Sequence, residues 1–204
     1  MAYRFDRRVK AFRSGSLQKK NYKDERSGTG VLSREDIFRE YSGNPIGLLL
    51  EYHNLDREYE SYDNAQLLIG MCMDNRKHLH IPENFAYIIR SGGANMRHSE
   101  FKVSYAISVG NVSHIALIGH NNCGMVNLVS RKEQVIEGLV RNAGWDRQRA
   151  DEHFSQFAPM FEIGSEMEFV LSESARLKSR YPAILVAPLM YLVEDNRLYQ
   201  IPVG

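Results

Sequence analysis

His114-Ile115-Ala116-Leu117-Ile118-Gly119-His120-Asn121-Asn122-Cys123-Gly124-Met125 begins as an apolar run and ends in a polar, glycine-flanked cluster. A short run that is apolar on both faces is the pattern of a strand buried in a parallel sheet. Leu67-Leu68-Ile69-Gly70-Met71, Tyr87-Ile88-Ile89 and Ala183-Ile184-Leu185-Val186-Ala187 share it. Phe101, Tyr105, Ala106 and Val109 lie between two of these runs at the spacing of one helical face, predicting a strand, helix, strand unit. Met125, Leu128, Val129, Ile136, Leu139 and Val140 keep helical spacing after Cys123, and a further helix over 166–179 is stopped by Pro182. The alternation specifies an α/β domain: a mainly parallel central sheet flanked by helices.

Toward the C-terminus, Met190-Tyr191-Leu192-Val193 and Leu198-Tyr199-Gln200-Ile201 flank the turn Glu194-Asp195-Asn196, which predicts a hairpin ending in an antiparallel edge strand. Toward the N-terminus, Asn44-Pro45 opens a helix that offers Ile46, Leu48, Leu49 and Leu50 for burial, and Ser33 with Asp36 caps a helix over 34–41. Residues 33–204 therefore read as one α/β domain. Residues 1–32 read as a basic arm, because nine Lys/Arg stand against three Asp/Glu in the first thirty positions. The rest of the chain offsets that excess, so a formal charge of +1 excludes bulk attraction to nucleic acid or an anionic membrane. No apolar run approaches the ~18 residues of a membrane span, and Arg4, Asp6, Arg7 and Arg8 occupy the place of a signal peptide's apolar stretch. The expected compartment is cytoplasmic, where two cysteines 51 positions apart are better explained by metal binding or catalysis than by a disulfide.

Two predicted strands run into polar clusters: Met71 into Cys72-Met73-Asp74-Asn75-Arg76, and Ile118 into Gly119-His120-Asn121-Asn122-Cys123-Gly124. Ligands of open parallel sheets sit at the carboxyl ends of strands, so Cys72, His120 and Cys123 are placed to converge. Two thiolates and an imidazole make a tetrahedral zinc set with one position over, the arrangement of a catalytic zinc. His120-x-x-Cys123 suits a strand-to-helix turn in which Gly124 permits a tight backbone. On an extended segment Cys72, Asp74 and Arg76 line one wall. Arg76 then holds Asp74 as an acceptor for a proton on zinc-bound water, or releases it as a fourth ligand that closes the site. Taken singly, each residue keeps a plainer reading: a buried cysteine as a small hydrophobe, an Asp and Arg two apart as a surface ion pair, a histidine after a strand as a rim residue.

At these residues the sequence resembles the β-class carbonic anhydrases. The family's motifs appear in order as Cys72-Met73-Asp74-Asn75-Arg76, Arg90-Ser91-Gly92-Gly93, Ser104-Tyr105-Ala106 and Gly119-His120-Asn121-Asn122-Cys123-Gly124. The resemblance implies zinc on Cys72, His120 and Cys123, a catalytic dyad of Asp74 and Arg76, and reversible hydration of CO2 to bicarbonate through zinc-bound hydroxide. It also implies a homodimer or an assembly of dimers, with an N-terminal helical arm packed on the neighbouring subunit. Gly92, Gly93 and Gly124 would border the substrate. Two features depart from the family: Arg90-Ser91-Gly92-Gly93 replaces Arg-Asn-Ala-Gly, and the connection from Lys77 to Ala86 is short, with His78 and His80 as candidate proton shuttles or extra ligands. Both bear on the pocket wall, which keeps two alternatives in view: a hydrolase of carbonyl sulfide or carbon disulfide, and a non-catalytic zinc scaffold with Asp74 on the metal.

Overall fold

The computed structural model describes residues 23–24 and 28–203. In chain order the elements are β1 (Lys23–Asp24), β2 (Gly28–Gly30), α1 (Pro45–Leu55), β3 (Leu67–Met71), β4 (Ala86–Arg90), α2 (Glu100–Ser108), β5 (His114–His120), α3 (Lys132–Ala143), α4 (Arg147–Phe161), α5 (Glu166–Arg180), β6 (Leu185–Leu192) and β7 (Arg197–Gln200). The strands form one sheet in the order β1-β2-β7-β6-β5-β3-β4. From β4 to β6 the pairing is parallel, with Met71 opposite Ile118 and Gly119 opposite Met190, so β3 and β5 deliver their polar tails to the same end. The α/β class and the mainly parallel sheet are as expected.

Alternation along the strands builds two hydrophobic layers. Leu67, Ile69, Met71, Ala116 and Ile118 face α1, whose Ile46, Leu49, Leu50 and Tyr52 are fully buried. Leu68, Ile115 and Leu117 face the other way, toward Val103 and Ala106 of α2 and Val170 and Leu177 of α5. The proline start of α1 is as read: Asn44 Oδ1 accepts from the Ile46 and Gly47 amides at 2.9 and 3.4 Å. The two apolar runs read around Pro188 are a single strand, β6. Proline is tolerated there because Pro188 O already accepts from Ile201 N, just beyond the last residue of β7, where no ladder needs the missing amide hydrogen.

Several expectations change. The helix over 34–41 is only a 3-10 turn, Arg34–Asp36, after which the fully buried Gln200 side chain captures the backbone. Its Oε1 takes Phe38 N at 2.8 Å and its Nε2 donates to Asp36 O at 3.0 Å, replacing helical hydrogen bonds. The C-terminal strand β7 is not the sheet edge, because β2 pairs with it, Thr29 opposite Gln200. Residues 28–30, assigned to the arm, therefore belong to the sheet, and the described secondary structure of that arm is strand rather than helix. The rest of the arm, and the helix expected in it, lie outside the described residues. Of the long segment after Ser130, only α5 covers the sheet; α3 and α4 pair with each other around Ile136, Ala150, Phe154 and Ala158.

Candidate metal centre

β3 and β5 end side by side, which brings three side chains together from positions far apart in the chain. Cys72 Sγ lies 3.9 Å from Cys123 Sγ, and with His120 the three donor atoms all fall within 4.8 Å of one another, each residue buried. His120 Nδ1 is 2.8 Å from Asn121 O, a group that can only accept, so Nδ1 carries the hydrogen and Nε2 keeps its lone pair. Nε2 is buried and takes no hydrogen bond from the protein. A buried acceptor without a partner, aimed at two sulfurs, fits a metal ion better than it fits a packed core. The sulfurs are poised in the same sense. Hydrogen bonding from Cys123 draws the Cys72 thiol well below its ordinary range, and the Cys72 sulfur in turn, with burial, pushes Cys123 up.

Asp74 and Arg76 meet as expected but by a different local route. Asp74 Oδ1 accepts from the Arg76 backbone amide at 2.9 Å, closing a turn across Asn75 in place of the extended wall. The guanidinium then folds back onto the carboxylate, Nε at 3.0 Å from Oδ1 and Nη2 at 2.7 Å from Oδ2, while Nη2 also donates to Asn122 O at 2.9 Å. Asp74 Oδ2 stands 4.0 Å from His120 Nε2. The Arg76 hydrogen bond is the main reason the Asp74 carboxyl is held far below the usual carboxylate range.

Behind the dyad lies Lys77, 1% exposed, with Nζ donating to Asp74 O at 3.2 Å and 3.9 Å from Asp74 Oδ1. Burial lowers its pKa, opposed by the charges of Cys72 and Asp74. Arg90, at the end of β4, staples the same loop by donating to Cys72 O, Asp74 O and Lys77 O at 3.3, 3.5 and 3.3 Å. On the far side, Ile163 N donates to Met125 O and draws the start of α5 over Cys123, whose amide donates to Glu166 Oε1 at 3.1 Å. Asn121 fastens the loop to the β6–β7 turn, accepting from Val193 N at 2.9 Å and donating to Glu194 at 2.8 Å.

A narrow cleft beside the trio is lined by Gly93, Gly119, His120, Cys123, Ile163 and Glu166. Of the three glycines read as pocket residues, Gly93 lines it. Gly93 sits at φ 63 and a Cβ there would stand 3.2 Å from Ile163, so backbone and space both call for glycine. Gly92 instead packs under Met125, and Gly124 has open space and no positive φ; Asn122 makes the tight left-handed turn. His78 and His80 do not join the metal-ligating group; His80 N donates to His53 Nδ1 at 3.1 Å. Lys77, Arg90, Glu166 and Glu194 were not assigned site roles from sequence. Arg90 carried a signal, standing inside the Arg90-Ser91-Gly92-Gly93 motif, and Lys77 directly follows the Cys72–Arg76 motif.

Residues 69–185 match the family model described as carbonic anhydrase. Among solved structures, the chain is similar to a carbonic anhydrase from Glaciozyma antarctica at 23% identity and a TM-score of 0.54, covering 69% of this chain and 85% of that one. A carbonic anhydrase from Streptococcus mutans aligns at 20% identity and a TM-score of 0.53, covering 81% and 100%. Isoform I of the β-carbonic anhydrase of Trichomonas vaginalis aligns at 16% identity and a TM-score of 0.54, covering 74% and 90%. No curated protein sequence matches the chain.

Proposed function

Since the chain belongs to the β-class carbonic anhydrase family, we propose that it catalyses the reversible hydration of CO2 to bicarbonate with zinc held by Cys72, His120 and Cys123. The observation that carries this reading is the buried trio with an unpartnered imidazole nitrogen, standing 4.0 Å from a carboxylate that Arg76 fixes in place. Three protein ligands leave a metal position for reactants, whereas a structural site normally closes all four. Zinc, when bound, supplies a water nucleophile at neutral pH by lowering its pKa toward about 7.

The chain's own residues supply orientation. Oδ1 of Asp74 is filled by the Arg76 amide and Nε, while Oδ2 accepts chiefly from Nη2 and retains acceptor capacity on the side of His120. An ionised Asp74 can only accept, so an attacking water species must donate its hydrogen to Oδ2, which turns its lone pair toward the carbon of CO2. Hydration gives bicarbonate and one proton, and the proton leaves to solvent buffer.

The same reading includes a homodimer. Tyr87 and Ile88 on the edge strand β4 are 39% and 46% exposed, and Phe101 and Tyr105 on α2, with Val109 just after it, are 82%, 50% and 57% exposed. The Tyr87 ring lies against Gly110, joining its face of the strand to the helix in one apolar surface of the kind a subunit buries, while Ile88 stands on the other face of the same edge. No helix among the described residues is long and apolar enough to cross a membrane. A reducing cytoplasmic compartment would keep Cys72 and Cys123 free for metal.

The test is zinc content by mass spectrometry together with stopped-flow CO2 hydration, run beside sulfide release from carbonyl sulfide and carbon disulfide. About one zinc per chain and CO2 turnover dominant over sulfide release are expected. Absence of zinc overturns the metal assignment. Zinc with faster sulfide release reassigns the substrate, and zinc with no turnover leaves a scaffold.

A further inference from the structure

Lysine is almost never fully buried without a partner, because desolvating an ammonium costs several kcal/mol unless other groups offset it. Lys77 is 1% exposed, and the function described above leaves it without a task. Its surroundings are specific. Nζ donates to the backbone oxygen of Asp74 at 3.2 Å and lies 3.9 Å from the Asp74 carboxylate, and its side chain is fully buried where that of Arg76 is 43% exposed. The guanidinium of Arg90 reaches the carbonyls on either side of this contact but makes no bond to the Asp74 carboxylate, so Lys77 and Arg76 are the cations that bear on it.

We propose that Lys77 is a positioning residue that holds Asp74 back from the metal, so that the fourth position stays open to reactants. The proposal rests on the zinc reading above. A carboxylate 4.0 Å from His120 Nε2 needs only a small rotation to approach whatever that nitrogen binds, and the metal's charge favours the move. Arg76 resists it from the solvent side through a side chain that is 43% exposed, where water competes for its hydrogen bonds. Lys77 resists it from behind, in a dry setting where a charge 3.9 Å away acts with little screening, and it also ties the Asp74 backbone.

The test is Lys77→Met, which keeps the buried volume and removes the charge, with Lys77→Gln in reserve should the first variant melt early. Removing a group that orients a metal site from outside its ligands typically costs 10–100-fold, so kcat for CO2 hydration should fall by about tenfold with KM within about twofold. Zinc should remain at one per chain. Its loss to a chelator should slow by about threefold or more, because a released Asp74 supplies a fourth ligand. Both effects should vanish when Lys77→Met is made in an Asp74→Asn background, since a residue acting through Asp74 has nothing left to position. Unchanged kcat and unchanged chelator kinetics, or effects that persist in the Asp74→Asn background, overturn the proposal. Chelator kinetics need no turnover, so this failure is distinguishable from failure of the CO2 reading, which would show as zinc-loaded parent protein without hydration.

Discussion

Asp74→Asn separates chemistry from folding at this site. Asparagine keeps the size of the side chain and can still accept the Arg76 amide at the Oδ1 position, now 2.9 Å away, so the turn across Asn75 survives. The second oxygen becomes an NH2 group, which meets the Arg76 Nη2 donor at 2.7 Å and can no longer accept a hydrogen on the side of His120. Flipping the amide only moves the donor conflict to the Arg76 backbone. Losing the oriented acceptor should lower kcat by about 100-fold, the low end for a positioned acid or base, or about 2.7 kcal/mol in the barrier. The stability cost has two parts. Because Arg76 is 43% exposed, its broken pair is worth about 0–1 kcal/mol, a Tm shift of about 0–4 °C for a chain of this size, and any loss beyond that reports the buried Lys77, which loses a countercharge 3.9 Å away. Stopped-flow hydration with zinc content and a thermal melt on the same sample reads all three. A kcat within threefold of the parent at full zinc occupancy refutes the role of Asp74 as acceptor, and loss of zinc would make Asp74 a resident ligand instead. The pH dependence follows with a definite sign. Arg76 depresses the Asp74 pKa, so the stability that the pair contributes is fully present above the unfolded value of about 3.9 and is lost as pH falls through the lower folded value. Asp74 is thus ionised throughout neutral and mildly acid pH, and the variant should scale the parent's activity profile down above about pH 5 without moving it.

Glu173 on α5 is fully buried and receives Met96 N and Arg176 Nη2 on Oε1 at 3.1 and 2.9 Å, and Arg176 Nε on Oε2 at 2.8 Å. Glu173→Gln leaves a donor facing donors whichever way the amide turns. It should cost about 2–4 kcal/mol, roughly 5–15 °C in Tm, and a change under about 2 °C in a thermal melt would show that the cluster carries no net stability. Ile88→Glu combined with Phe101→Glu places one charge on the exposed edge strand and one on the exposed side of α2 without touching either core layer. Analytical ultracentrifugation should then show a shift from dimer to monomer with the far-UV spectrum preserved; an unchanged dimer would place the subunit contact elsewhere.

The strands, α1 and α5 were legible because burial on a sheet and the capping of a helix are local properties of pattern. Leu67-Leu68-Ile69-Gly70-Met71 can bury both faces only inside a sheet, and Asn44-Pro45 satisfies the first turn of α1 from two adjacent residues. The metal ligands were legible for a related reason, since each ends or follows a strand and the parallel register alone brings Met71 level with Ile118. The 34–41 segment misled because a residue 162 positions away, Gln200, outbids its own helical hydrogen bonds. Glu166 and Glu194 left no trace for the same cause, as each reaches the site through contacts 43 and 73 residues distant in the chain.

The remaining misreadings share a different origin. Tyr87-Ile88-Ile89 has the pattern of a buried strand, and Phe101, Tyr105 and Val109 have that of a helix face turned to a core, yet β4 is the sheet edge and all of these side chains except the part-buried Ile89 stand in solvent. Apolar periodicity reports that a surface is to be removed from water and says nothing of which chain removes it. Inside a single chain, α2 meets the core through Val103, Ala106 and the part-buried Ile107, leaving Phe101 and Tyr105 exposed. Pattern and exposure are reconciled if a second copy supplies the missing layer, with β4 edge to edge or α2 face to face.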